Sequence, residues 1–232
     1  MRARLLILLL LSIMLACGYG IYTGRIVIPD ERNPWAPLKI EQPLGWLTRM
    51  KLDRLSSDPA LCRAVLDGAD MRYQPLPDRE TAPGCVFDNV VRIDETRFDV
   101  GRSFPLTCRS AAALALWEYH IVGPAAQTHL SEPVVRLEHF GSYACRNVYG
   151  RKDAPLSRHA TADALDVAGF VLASGRRISI ERDWNGTARD AAFLRELHAG
   201  ACRVFDGVLG PEYNAAHRDH FHLDRGGHRM CR

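Results

Sequence analysis

Ser157-Arg158-His159-Ala160-Thr161-Ala162-Asp163-Ala164-Leu165-Asp166 decides how the second half of this chain is read. A polar, serine-led turn carrying His159 feeds into an apolar run, Ala164 to Ala173, with Asp166 near its start. With Asp166 opening a β pattern, the two residues cannot be neighbours on one helix. A loop that holds His159 and turns into a strand carrying Asp166 can aim both side chains at one point.

Downstream, His217-Arg218-Asp219-His220-Phe221-His222 places three histidines in six residues. Asp219 to Asp224 reads as a closing strand, with His220, His222 and Asp224 on one face and Asp219, Phe221 and Leu223 on the other. Asp219 stands where the chain is still turning and need not obey that alternation. His159, Asp166 and a strand imidazole make a His/Asp/His donor set for zinc, with a fourth position open to water. Zinc lowers the pKa of water toward neutrality and polarises a carbonyl. Two plainer readings compete: a solvated polar strand edge, and an adventitious metal patch. His120, His129, His139, His198 and His228 read as surface or packing residues.

The chain has 232 residues, 47% hydrophobic and 25% charged, enough for one globular domain with a real core. A net charge of +3, with no basic stripe interleaved with aromatics, argues against nucleic acid as a partner. A mildly basic surface tolerates an acidic polymer such as peptidoglycan without selecting it. No Gly-rich phosphate loop and no Gly-x-Ser-x-Gly elbow is present.

Met1-Arg2-Ala3-Arg4 precedes an apolar run from Leu5 to about Tyr22, so residues 1–22 read as a signal anchor or signal peptide. The run nearly reaches bilayer length and no clean small-x-small cleavage site follows, which favours a retained anchor with Arg2 and Arg4 on the cytoplasmic side. Met14-Leu15-Ala16-Cys17 resembles a lipoprotein cleavage box. The plainer reading makes Cys17 one more residue of the run. Residues 23–44, with Pro29, Pro34, Pro37 and Pro43, read as an extended linker ahead of a domain over 45–232.

Cys62, Cys85, Cys108, Cys145, Cys202 and Cys231 form an even set without a Cys-x-x-Cys spacing, which implies disulfides in an exported domain. Sequence cannot select among the pairings. The local choice is Cys62–Cys85, Cys108–Cys145 and Cys202–Cys231, the last pinning the tail beyond the histidines. Helices are expected over Trp46–Leu55, from the Asp58-Pro59 cap to about Leu66, over Thr107–Val122 up to Gly123-Pro124, and from the Thr187-x-x-Asp190 capping box to about Val208. Strands are expected at Asn89–Ile93, Pro133–Phe140, a hairpin of Ala164–Ala173 with Arg177–Asp183 around Ser174-Gly175, and Asp219–Asp224. The order is that of an α+β domain with a small antiparallel sheet flanked by helices and no parallel sheet.

Ser157-x-His159-x-x-Ala162-x-Ala164-x-Asp166 resembles the Ser-x-His-x-x-Gly-x-Ala-x-Asp motif of zinc D-Ala-D-Ala carboxypeptidases and related murein endopeptidases, with Ala162 at the glycine. Asp219-His220-Phe221-His222 resembles their acid-x-x-His element, and His217-x-x-His220-x-His222 the histidine array of penicillin-insensitive murein endopeptidases. From Asn33-Pro34-Trp35-Ala36-Pro37-Leu38 through Gly141-Ser142-Tyr143 to Cys231-Arg232, the chain resembles the bacterial extensin-like C-terminal domain family. Plant extensins are proline-rich repeat proteins, which this chain is not.

The resemblance implies a disulfide-stapled Hedgehog/D,D-peptidase-like fold and a Zn2+ site of His159, Asp166 and His222. It makes Asp219 the general base, with His217 and His220 stabilising the oxyanion or orienting the water. Arg146 matches the arginine that polarises or anchors substrate in those peptidases; otherwise it is a surface arginine beside a disulfide. Ser157 is expected to hydrogen-bond near His159, and Trp117 and Trp184 to pack in the core. The expectation is a monomeric zinc peptidase acting on peptidoglycan stem peptides or crosslinks. It would sit at the periplasmic face of the inner membrane through its anchor, or be secreted to the periplasm. The rivals are a non-catalytic cell-wall binding module that keeps the metal, and a disulfide-rich structural domain without one.

Overall fold

The computed structural model describes residues 2–232. Met1 of the expected basic start lies outside the described residues, as do the side chains of Arg2 and Ala3. Helix α1 (Arg2–Tyr22) is the one described helix long and apolar enough to cross a membrane. Its leucines are largely exposed, so it buries almost nothing against the domain.

The chain expected as a spacer is packed onto the domain from about residue 30. Leu38 and Ile40 alternate with exposed neighbours and point into the main core. Lys51 Nζ donates to the Asp30 carbonyl at 2.7 Å and Arg54 to the Pro34 carbonyl at 2.8 Å. Helix α2 (Thr48–Arg54) is shorter than its periodicity suggested, because Trp46 is left exposed rather than buried. Helix α3 (Pro59–Asp67) starts as read: Asp58 accepts the Leu61 N–H at 2.9 Å and Pro59 takes the first helical position.

Five short strands follow: β1 (Arg72–Pro75), β2 (Arg79–Ala82), β3 (Cys85–Phe87), β4 (Val90–Glu95) and β5 (Phe104–Thr107). They make a three-stranded sheet, β1-β4-β5, and a separate β2–β3 hairpin. Helix α4 (Cys108–Trp117) is alanine-rich and buried nearly all round. Gly123-Pro124 does not stop it. The chain continues through a π-helical segment at Glu118–Val122, the helical turn α5 (Gly123–Ala125) and a second π segment at Ala126–Leu130. Proline lacks an N–H and clashes with the carbonyl four residues back; the wider π turns relieve that conflict. The run ends at Ser131, in the left-handed region at φ 54°.

The remaining elements are β6 (Val134–Gly141), β7 (Ala164–Leu172), β8 (Arg177–Ser179), α6 (Ile180–Asp183), α7 (Ala188–Ala201), β9 (Gly207–Leu209), β10 (Phe221–Asp224) and β11 (Met230–Cys231). The second arm of the expected hairpin stops at Ser179 and becomes the turn α6. Thr187 caps α7 through the Asp190 N–H, as the capping box requires, but α7 ends at Ala201 and Val208 lies in a strand. The main sheet runs β11-β9-β10-β7-β6, with β8 also paired to β7. All its pairs are antiparallel except β9–β11, a parallel pair that was not expected.

The disulfides are Cys62–Cys108, Cys85–Cys145 and Cys202–Cys231, with Cα separations of 6.1, 5.7 and 5.9 Å. The last is the expected pair, and the first two correct the local choice. Helix α3 packs against α4, which brings Cys62 to Cys108; the β2–β3 hairpin instead reaches the loop after β6. A disulfide needs Cα atoms a few ångströms apart in space, and sequence distance does not measure that. Trp117 and Trp184 are buried, as expected of core aromatics.

Candidate metal centre

His159 lies on a 3-10 turn, Arg158–Thr161, whose first residue is capped by Ser157. The Ser157 hydroxyl accepts the His159 N–H at 3.3 Å. The turn closes at Ala162, in the left-handed region at φ 53°. That backbone explains why a glycine suits this place in the motif; alanine holds it at a cost. Its methyl is buried with Phe87 and Val90. Asp163 then anchors the turn to α4. Its buried carboxylate accepts from Thr107 at 2.7 Å, Ser110 at 2.8 Å and Arg109 at 2.6 Å.

The register of the main sheet supplies the rest. β10 pairs with β7 so that His222 stands opposite Asp166. Irregularities late in β6 carry the chain past Gly141, which faces Asp166, and out to Ser142. The His159 Nδ1–H donates to the Ser142 carbonyl at 3.0 Å, turning Nε2 toward the strand pair.

Three donor atoms meet there. His159 Nε2 is 3.1 Å from His222 Nδ1 and 3.2 Å from Asp166 Oδ1, and His222 Nδ1 is 3.0 Å from that same oxygen. A tetrahedral ion with bonds near 2.05 Å separates its ligand atoms by about 3.3 Å, so the triangle need open only slightly to hold one. The other nitrogen of His222 donates to Asp224 at 3.1 Å, and that of His159 to a backbone carbonyl. Such outer partners orient metal-binding imidazoles. The alternation of the closing strand puts Asp224 on the His222 face, but its partnership with the ring carries no signature in the sequence.

Charge follows the same geometry. Burial opposes a proton on His222, but hydrogen bonds to Asp166 and Asp224 outweigh it and raise its pKa to about 9. Burial likewise opposes charge on Asp166, yet hydrogen bonds from His159 and His222 hold its carboxyl well below the usual range.

The neighbouring residues divide. His220 Nε2 is 3.6 Å from Asp166 Oδ1, and its Nδ1 is 2.8 Å from Asp219 Oδ1. Asp219 thus engages His220 and forms no hydrogen bond or ion pair with the three donors among the described residues. The ring of His217 lies 5.2 Å from that of His220 and 5.9 Å from that of His222. Burial, then the other two histidines, push its pKa down to about 4. Arg146 is exposed, and its guanidinium makes no hydrogen bond or ion pair among the described residues. Phe140, Tyr149 and Tyr213 are exposed and pack edge-on against His220 or His217. None of the three has a signature in the sequence, since an exposed aromatic leaves no local pattern.

Fold and site together define a disulfide-stapled α+β domain built around a buried His–Asp–His cluster. The family model described as extensin-like protein C-terminus matches residues 60–232, and the chain belongs to that family. No curated protein and no solved structure matches it.

Proposed function

We propose that this protein is a zinc-dependent hydrolase of amide bonds in peptidoglycan stem peptides or crosslinks, held by α1 at the periplasmic face of the inner membrane. The observation that carries this reading is the convergence of His159 Nε2, Asp166 Oδ1 and His222 Nδ1 within 3.2 Å, with both imidazoles already oriented by outer partners. Zinc at these atoms would supply Lewis-acid polarisation of a carbonyl and activation of water. The resemblance of the His159–Asp166 and Asp219–His222 segments to murein peptidases supplies the substrate class.

The chain's own groups fit the accompanying proton transfer. His220 Nδ1–H donating to Asp219 leaves Nε2 as an acceptor beside Asp166. His220 takes the proton of the attacking water and returns it to the leaving amine, while Asp219 stabilises the transient imidazolium. In this assignment Asp219 acts through His220. Arg146 is exposed on the loop after β6, which is tied to the His159 turn where the Ser157 N–H donates to the Arg146 carbonyl at 3.0 Å, and in this reading its side chain meets a substrate carboxylate.

A metal-holding binding module is the second reading, and the engagement of Asp219 with His220 rather than with the three donors favours it. One experiment separates the two. The full chain in detergent is assayed for bound metal and incubated with purified sacculi, and released muropeptides are identified by mass spectrometry. The hydrolase reading expects one zinc per chain and new muropeptides, with turnover reduced at least about a hundredfold in His220→Ala while zinc is retained. Zinc without cleavage supports the binding module. No metal in the wild type, or undiminished metal in His159→Ala, sinks both.

A further inference from the structure

Asn214 opens the short 3-10 turn Ala215–His217, and both ends of its amide are used. Oδ1 accepts the Ala216 N–H at 3.0 Å, so the backbone itself identifies that atom as the oxygen. The same oxygen is 2.8 Å from His217 Nδ1, which must then carry the proton. His217 Nε2 is left with a lone pair. At the other end, Nδ2 donates to the Tyr149 hydroxyl at 2.9 Å. Because the Tyr149 oxygen accepts there, its own proton is available to another partner.

Tyr149 sits on the rim of the cluster, 53% exposed, with its ring 6.3 Å from that of His217. Its backbone is left-handed at φ 54°, an unfavourable state for a residue with a Cβ. The turn is held by Asn147 Nδ2, which donates to the Arg151 and Lys152 carbonyls. A strained backbone, an exposed ring and a polarised hydroxyl thus coincide at one residue.

We propose that Tyr149 and His217, polarised by Asn214, form a subsite for one residue of an extended peptide. In an extended chain the N–H and C=O of a single residue point the same way. The ligand N–H donates to His217 Nε2, and the ligand C=O accepts from the Tyr149 O–H. A carboxylate or an ester lacks the N–H and leaves His217 unmatched. Tyr149 contacts substrate; Asn214 is a positioning residue. The subsite deepens the hydrolase reading and rests on it for the neighbouring chemistry, but peptide binding can be measured without turnover.

The test uses the full chain in detergent micelles with 15N-labelled histidine. The probes are N-acetyl-alanine N-methylamide of each chirality and the O-acetyl-lactate analogue, in which oxygen replaces the N–H. Expected are a protonated Nδ1 and bare Nε2 on His217, a shift of Nε2 on adding an amide probe, and weaker binding of the ester analogue. Tyr149→Phe removes the donor, and Asn214→Asp keeps the oxygen facing His217 while forcing Tyr149 to donate inward. Each should weaken amide binding by about tenfold. A wild-type His217 protonated on Nε2, no shift with any probe, equal binding of the ester, or unchanged affinity in Tyr149→Phe would each overturn the subsite. Tyr149 is exposed, so that variant keeps the test decisive should Asn214→Asp fold poorly. Probe binding without cleavage of sacculi overturns the hydrolase reading and leaves the subsite standing.

Discussion

His222 shows how one side chain is placed by two carboxylates. Asp166 faces its Nδ1 across the strand pair and Asp224 receives its Nε2–H. Removing the outer carboxylate leaves the three donors in place but frees the ring to rotate and swap its proton between nitrogens. Under the proposed zinc assignment, Asp224→Asn is expected to weaken metal binding by about 10–100-fold, read by competition with a chromophoric chelator, with little change in fold. Unchanged affinity would mean that Asp224 does not orient the ligand. The motif residues were legible in the sequence because their spacing is itself a pattern. Asn214 and Tyr149 were not, because a hydrogen bond between residues this far apart leaves no mark on either neighbourhood.

At the scale of elements, the long helical run around Pro124 carries Glu118, 1% exposed, at the start of its first π segment. Burial raises its pKa to about 8, against a hydrogen bond from the Thr96 hydroxyl and one from the Arg97 backbone. The sign follows from the ordinary value of 4.5. Below it Glu118 is neutral in both folded and unfolded chains. Between 4.5 and about 8 the unfolded chain ionises first, so stability is lost as pH rises through that window. Glu118→Gln should stabilise the protein at pH 9 relative to pH 5, by an increment on the order of a few kcal/mol in urea titrations. A difference independent of pH would show that Glu118 is not titrating there. Elements with terminal signals, such as α3 and α7, began where their caps said. The C-terminal end of α7, and the strands β1, β2, β3, β5, β9 and β11, did not show; such short strands owe their form to pairing partners rather than to their own pattern.

At the scale of the molecule, two long-range features hold the domain. Residues 30–44 strap onto it, with Leu38 and Ile40 in the core. Leu38→Ala should cost about 2–4 kcal/mol, and a chain shortened to begin at Gly45 should melt well below one that keeps residue 30 onward. Equal melting temperatures would return this segment to the role of a spacer. The Cys62–Cys108 bond closes a sequence separation of 46, and replacing both cysteines by alanine should cost about 4 kcal/mol by the loop-entropy rule, provided α3 still packs on α4. Denaturant unfolding of the variant measures it, and a loss under about 1 kcal/mol would mean that the unfolded chain is already compact across this loop.

Local chemistry was readable along the chain: the caps at Asp58 and Thr187, the strands β7 and β10, the apolar α1, and the presence of His159, Asp166 and His222 at spacings that a turn and a strand can bring together. Each depends on hydrogen bonds or side-chain directions set within a turn or a strand pair. Long-range packing set the partners of Cys62 and Cys85, the pairing of Asp219 with His220, the place of Pro124 inside a helical run, and the link that Asn214 makes between Tyr149 and His217. These contacts depend on how α3, α4 and the loop after β6 pack around the sheet, and packing is a property of the whole core.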